Sequence, residues 1–355
     1  MIYLAFLFAA VVLLFAYTRI LSKKYAIKTM SDEIHFISTS DDIKIAIFRY
    51  VPKGEHTHKK PVILCHGLGA NMHNFDISGG YSLARHLSEA GYDSWILNLR
   101  GANVKGIIEY DNWDFSYDDY LKKDIPAAVK YVLNKTAEDR VCWVGHSMGG
   151  MLLHAFLVTG GEQFVKAGVT LGSPAAFNNA RSHLVKLIRL RLLMKLTVKL
   201  RFDSFAKLIS PLTGILNSSF VKFQMNVKNV DYNIIRTAQY NAITPLSTKL
   251  LFQFASWLKQ GDIKLSDGTN VTANLDKVSI PMLVISGAED MIAPVKDTVL
   301  AYEKFASVDK SYIELSKSDK FSADYGHIDM VFGKNAPKEV YPVIRNWLDS
   351  INQSG

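Results

Sequence analysis

Apolar and polar stretches alternate along this chain in an order that predicts strand after helix after strand from about residue 34 onward. Strand-like runs fall at Lys44 to Tyr50, Pro61 to Cys65, Ser94 to Leu99, Arg140 to Val144, Lys166 to Leu171 and Ser279 to Ser286. Several are apolar throughout, not at every second position, which is the pattern of strands buried on both faces. Helix-like segments separate them, so the chain predicts a mainly parallel sheet with helices on each side. The opening differs. Between Ile34 and Tyr50 two alternating runs flank Thr39-Ser40-Asp41-Asp42, which predicts an antiparallel hairpin at the sheet edge. Lys123-Asp124-Ile125-Pro126 reads as a helix start, with proline in the first turn.

Two segments break this alternation. Ile2 to Tyr17 is unbroken apolar or aromatic sequence, followed by Thr18, Arg19 and Ile20-Leu21. As a helix, Ile2 to Leu21 would span about 30 Å, the thickness of a bilayer core. A cleaved signal peptide is the rival, but it carries basic residues before its apolar stretch. Here Arg19, Lys23, Lys24 and Lys28 follow it. The charge placement predicts a single-pass membrane anchor over 1–21, with the remaining chain on the cytoplasmic side. The second break, 178–259, reads as helical. The expected organisation is therefore an anchor (1–21), an α/β core (31–177 and 260–352) and a helical cap inserted into it (178–259).

Composition narrows the classes. With 48% hydrophobic and 21% charged residues among 355, the chain is globular with a large core. Its net charge of +8 is concentrated between Arg181 and Lys207, where eight basic residues face the single acid Asp203. Such a stretch can lie on an anionic membrane surface or pack as a lid with a solvated basic face. Nucleic acid is excluded as a partner, because apolar content is high and no recognition motif accompanies the charge. Oligomeric state is not legible. The two cysteines, Cys65 and Cys142, sit in strand-like runs and read as buried free thiols.

The chemistry centres on Gly145-His146-Ser147-Met148-Gly149, which follows the strand-like Val141 to Val144 and precedes a helix-forming run. A strand, a tight turn with small flanking residues and a helix whose N-terminus faces a serine oxygen form a nucleophile elbow. Partners follow in the required order. Gly287-Ala288-Glu289-Asp290 lies just past the strand-like Pro281 to Ser286, and Asp290 is the candidate acid, with Glu289 its local competitor. Tyr325-Gly326-His327-Ile328-Asp329 supplies the candidate base, His327. Charge developing on an attacked carbonyl oxygen needs backbone N–H donors. Met148 is one candidate; Leu68, in His66-Gly67-Leu68-Gly69, is the other, with Gly67 as its neighbouring alternative. No metal and no cofactor are expected. His56 and His58 sit in a hydrophilic loop, and Ser78-Gly79-Gly80-Tyr81 lacks the Lys-Ser/Thr of a phosphate loop.

With these motifs in place, the chain resembles the α/β-hydrolase superfamily from about Ile34 to its C-terminus. It is similar in particular to the acid-lipase and esterase branch. The likeness rests further on His66 to Asn71 with Asn74-Phe75, on Asn98-Leu99-Arg100-Gly101 leading to Trp113 to Tyr117 and Lys123 to Ala128, and on Gly326 to Asp329 with Phe332-Gly333. The resemblance implies an α/β-hydrolase fold and hydrolysis of carboxylic esters of lipid-like acids, without a cofactor. Polyhydroxyalkanoate synthases share the Gly-His-x-Asp neighbourhood but use a cysteine nucleophile, and Ser147 argues against that chemistry. An acyltransferase or thioesterase could use the same triad, and a non-catalytic ligand-binding member of the fold is the remaining alternative. Asp329 either supports His327 or caps a helix.

Overall fold

The computed structural model describes residues 2–54, 59–78, 80–179, 197–215 and 219–353. Eight strands form one sheet: β1 (Glu33–Ser38), β2 (Lys44–Tyr50), β3 (Val62–Cys65), β4 (Ser94–Asn98), β5 (Val141–His146), β6 (Val165–Leu171), β7 (Met282–Gly287) and β8 (Lys310–Leu315). Helices α1 (Ile2–Tyr25), α2 (Leu83–Glu89), α3 (Ile125–Thr136) and α4 (Met148–Val158) belong to the first half. Between β6 and β7 come α5 (Phe202–Ile209), α6 (Ser219–Gln224), α7 (Tyr232–Asn241) and α8 (Thr248–Gln260). The last helices are α9 (Val295–Lys304) and α10 (Ala336–Gln353).

Across the sheet the order is β1-β2-β4-β3-β5-β6-β7-β8. Only β2 runs against its neighbours; the other pairings are parallel. The edge hairpin forms as expected, with Ile37 opposite Ile45 and Glu33 opposite Arg49. Every residue of β3, β4, β5 and β7 is buried, because helices cover both faces. Ile63, Trp95 and Trp143 pack on one side with residues of α3 and α4. Val62, Ile96 and Val144 pack on the other with residues of α2 and α10. Two elements differ from the sequence reading. Strand β5 continues through Gly145 to His146, since Gly145 still pairs with Cys65 and Thr170. Strand β8 went unread because Lys310, Ser311 and Glu314 dilute the apolar signal of a half-exposed edge.

The expected single-pass anchor, and with it the cytoplasmic placement of the remaining chain, is corrected. Among the described residues no helix is long and apolar enough to cross a membrane. Ile2–Tyr25 is helical, but its last turns carry Arg19, Lys23 and Lys24 and dock onto the protein. Leu21 and Tyr25 are buried. Tyr17 Oη donates to the Leu208 carbonyl at 3.0 Å, and Asn241 Nδ2 donates to the Tyr25 carbonyl at 2.8 Å. Counting apolar residues along the chain does not register such tertiary contacts. Of the basic stretch, Arg181, Lys186, Arg189, Arg191 and Lys195 lie outside the described residues, as do His56 and His58.

A buried ionic knot holds the sheet's edge to its helical layer. Arg100, just past β4, donates from Nε to Asp124 Oδ1 at 2.7 Å and from its backbone N–H to Asp124 Oδ2 at 2.8 Å. Its other two nitrogens reach the Asp41 carboxylate at 2.8 and 2.9 Å. The stretches Asn98 to Gly101 and Lys123 to Ala128 are thus joined by charge-assisted bonds between distant residues.

His154 faces the core from α4 with its ring 5.5 Å from that of Phe305. Neither ring nitrogen has a hydrogen-bond partner among the described residues, and burial pushes its pKa down to about 4. Below pH 6.5 the unfolded chain takes up a proton that the native ring refuses, so stability present above pH 6.5 is lost as pH falls toward 4. Replacing this imidazole by an apolar group, His154→Leu, is expected to remove about 2 kcal/mol of that loss at pH 5. Urea titrations of both proteins at pH 7.5 and 5 measure it. A stability difference that does not change with pH would refute the assignment.

Candidate active site

Ser147 stands in the turn between β5 and α4 with φ 54° and ψ −120°, a strained backbone for a residue with a side chain. Its N–H donates to the Leu171 carbonyl at 2.9 Å, at the end of neighbouring β6. Helix α4 starts immediately afterwards and is buried nearly along its whole length. Its N-terminus therefore rests against the sheet, directly behind the serine.

Asp290 and His327 arrive from the loops after β7 and β8. Asp290 is 5% exposed, whereas Glu289 beside it faces solvent. Asp290 Oδ1 accepts the N–H groups of Ile292 (2.9 Å) and Ala293 (2.7 Å). The other oxygen, Oδ2, lies 2.7 Å from His327 Nδ1. His327 Nε2 lies 2.9 Å from Ser147 Oγ. A carboxylate can only accept, so Nδ1 carries the proton and Nε2 is the acceptor that faces the serine hydroxyl. The three residues form one continuous hydrogen-bonded line.

The loop after β3 passes beside this line. A Cβ placed on Gly67 would lie 3.1 Å from Ser147 Cβ, so the loop approaches the serine closely. The Gly67 N–H points to Asn74 Oδ1 at 3.4 Å. The Leu68 and Met148 N–H groups have no hydrogen-bond partner among the described residues. Leu68 adjoins Gly67, which approaches the serine, and Met148 adjoins Ser147 itself, so both N–H groups belong to backbone next to the serine.

Several supporting residues were not assigned roles by sequence reasoning. His66 is buried, and burial pushes its pKa down to about 4. The neutral ring donates from Nδ1 to the Gly67 carbonyl (2.9 Å) and accepts the Leu99 N–H at Nε2 (3.3 Å). It pins the Leu68 loop to the end of β4. His146 donates from Nε2 to the His327 carbonyl at 3.1 Å; burial first, then neighbouring His327, pushes its pKa down to about 3. Only its place inside the Gly-x-Ser-x-Gly turn hinted at these contacts.

Asp329 is fully buried at the start of a short helical turn, Asp329–Phe332. Its Oδ1 accepts the N–H groups of Gly326 (3.0 Å) and Asn226 (3.1 Å), and Oδ2 accepts Asn229 Nδ2 (2.8 Å). Burial lifts its pKa to about 6, against the pull of these donors. The carboxylate thus ties the His327 loop to the segment between α6 and α7. Asp329→Ala would leave three donors without their acceptor. The expected result is a fall in kcat of about 10²-fold, as displaced catalytic groups produce. Steady-state kinetics on a folded variant measures it, and an unchanged kcat would refute the tie.

The sequence model of the α/β hydrolase fold family matches residues 60–334. Curated relatives include mouse lipase member K, 26% identical and covering 87% of this chain and 85% of the relative. Human lysosomal acid lipase/cholesteryl ester hydrolase is also 26% identical, covering 88% and 86%. Rat gastric triacylglycerol lipase is 25% identical, covering 86% and 85%. Among solved structures, a membrane phospholipase A described as a bacterial virulence factor superposes with a TM-score of 0.58. It is 17% identical and covers 99% of this chain and 97% of its own. An esterase from Exiguobacterium antarcticum gives a TM-score of 0.57 at 16% identity, over 88% and 98%.

Proposed function

The chain belongs to the α/β hydrolase fold family, and from that premise we propose that it is a lipase/esterase-type hydrolase of carboxylic esters that works through an acyl-Ser147 intermediate. The observation that carries this reading is the line from Ser147 Oγ through His327 to Asp290, with contacts of 2.9 and 2.7 Å. Ser147 Oγ attacks the ester carbonyl while His327 Nε2 takes its proton. Asp290 holds the imidazole tautomer and stabilises the imidazolium. The oxyanion accepts from the Leu68 and Met148 N–H groups. When the tetrahedral species collapses, the alcohol leaves with the proton from His327. Water, activated by the same imidazole, then attacks the acyl carbonyl and releases the acid and free Ser147.

Residues 178–259 form a cap over the core of 31–177 and 260–352 in this reading, and lipid-like acyl groups are the expected substrates. Contacts between this segment and the Leu68 loop support it. The Thr244 N–H donates to the Gly69 carbonyl at 2.8 Å, and Leu246 packs 3.0 Å from where a Gly69 Cβ would lie. The lipase names of the relatives point to the same substrate class.

The test is labelling with a fluorophosphonate, which reports an activated serine, followed by a p-nitrophenyl ester series of increasing acyl length. Labelling is expected in the wild type and not in Ser147→Ala, with hydrolysis favouring longer acyl chains. Folded wild-type protein that neither labels nor turns over any ester would refute the reading.

A further inference from the structure

A cavity whose lining includes none of Ser147, Asp290 and His327 lies where the segment after α1, the 103–110 loop and the 178–259 insertion meet. Its volume is about 650 Å³, within the range of small-molecule sites. Lys28, Lys105, Lys199, Arg201 and Lys207 line it, against the two carboxylates of Glu109 and Asp203. These cationic residues come from separate segments and border one space.

The positive charge is poorly compensated. Asp203 is committed to Arg201 (3.2 Å) and Lys207 (3.8 Å). Lys105 Nζ donates to Ser22 Oγ at 3.2 Å, and Lys199 Nζ sits 4.1 Å above the Trp113 ring, so both bind neutral groups. Burial comes first in holding Lys199 and Lys207 below the usual lysine range; Arg201 adds to it at both, against the opposite pull of Asp203 and Glu109.

We infer that this cavity binds a phosphate-bearing group, the headgroup of a phospholipid or a free phosphate. An anion there would offset the repulsion among these cations, of which Lys199 and Lys207 are partly buried. Convergence of several ammonium and guanidinium groups suits a tetrahedral, multiply charged anion better than a planar, singly charged carboxylate. The wall is tied to the Leu68 loop. Asn71 Nδ2 donates to the carbonyls of Asn103 (2.8 Å) and Asn241 (2.7 Å), and both of these residues line the cavity. Its occupant would touch the residues that hold the loop beside Ser147.

Direct binding tests this without reference to ester hydrolysis. Full-length protein carrying Ser147→Ala, which spares the lipid from turnover, is titrated calorimetrically at low salt with inorganic phosphate, dihexanoyl phosphatidic acid and neutral dihexanoylglycerol. Wild-type protein is titrated with phosphate alone. The expected result is phosphate-dependent binding that weakens with salt. It should also weaken at least about tenfold in Lys28→Glu or in the double variant Lys199→Gln/Lys207→Gln, as loss of charge-assisted contacts implies. Lys28 is exposed, so its replacement leaves the fold intact even if the double variant fails to fold. Phosphatidic acid binding well above inorganic phosphate assigns the headgroup; equal affinities assign free phosphate. Three results would overturn the inference: no binding of either phosphate probe, equal binding of dihexanoylglycerol, or affinities unchanged by Lys28→Glu and by a folded double variant.

Discussion

Ser147→Ala is expected to lower kcat/KM for carboxylic esters by about 10⁴- to 10⁶-fold, the loss seen when a triad nucleophile is removed. On the proposed mechanism no acyl-enzyme forms without the hydroxyl, and only binding and the two N–H donors proposed for the oxyanion remain to assist attack by water. The fold should be indifferent. Serine and alanine carry the same backbone burden at φ 54°, and the hydroxyl's bond to His327, 2.9 Å long, belongs to the chemistry and not to the core. Burst kinetics with a p-nitrophenyl ester, alongside a thermal melt, measure both halves of the expectation. A variant that keeps more than about a hundredth of wild-type activity would remove Ser147 from the mechanism.

Gly149→Ala is expected to have the largest effect on stability, above about 4 kcal/mol, because no flexible group can yield to the added methyl. A Cβ at position 149 would overlap the Cys65 carbonyl oxygen and lie 3.0 Å from that of His66. Both are backbone atoms at the C-terminal end of β3. The glycine is required here by close approach of helix α4 to the sheet, not by its own dihedral angles. The Gly149 carbonyl is also held, accepting from Trp143 Nε1 at 3.1 Å. Relief would require α4 to retreat, and Met148, one residue earlier, would move with it. Denaturant unfolding measures the loss, and a midpoint within error of wild type would show that the helix does not sit as closely as described.

Much of the fold was legible because its determinants are local. Apolar runs such as Val141 to Val144 and Pro281 to Ser286 mark strands buried on both faces, and turn residues mark the edge hairpin. Strand β8 was not legible, since a half-exposed edge has no obligatory apolar pattern. The N-terminal segment misled for the opposite reason. Its apolar count describes a helix in isolation, whereas Leu21 and Tyr25 are spent on contacts with the protein and the final turn is charged.

The candidate site divides the same way. Sequence alone determined the Gly-x-Ser-x-Gly turn and pointed to a candidate acid after one strand and a candidate histidine near the C-terminus, because each is written in a few consecutive residues. Tertiary structure decided which carboxylate faces the imidazole, burying Asp290 and leaving Glu289 in solvent. It also decided that His66 and His146 brace backbone carbonyls, that Asp329 accepts from residues a hundred positions away, and that five cations meet around one cavity. Spacing along the chain carries short-range backbone geometry; hydrogen bonding, desolvation and charge balance depend on which distant side chains share a volume, and that is set only when the elements pack.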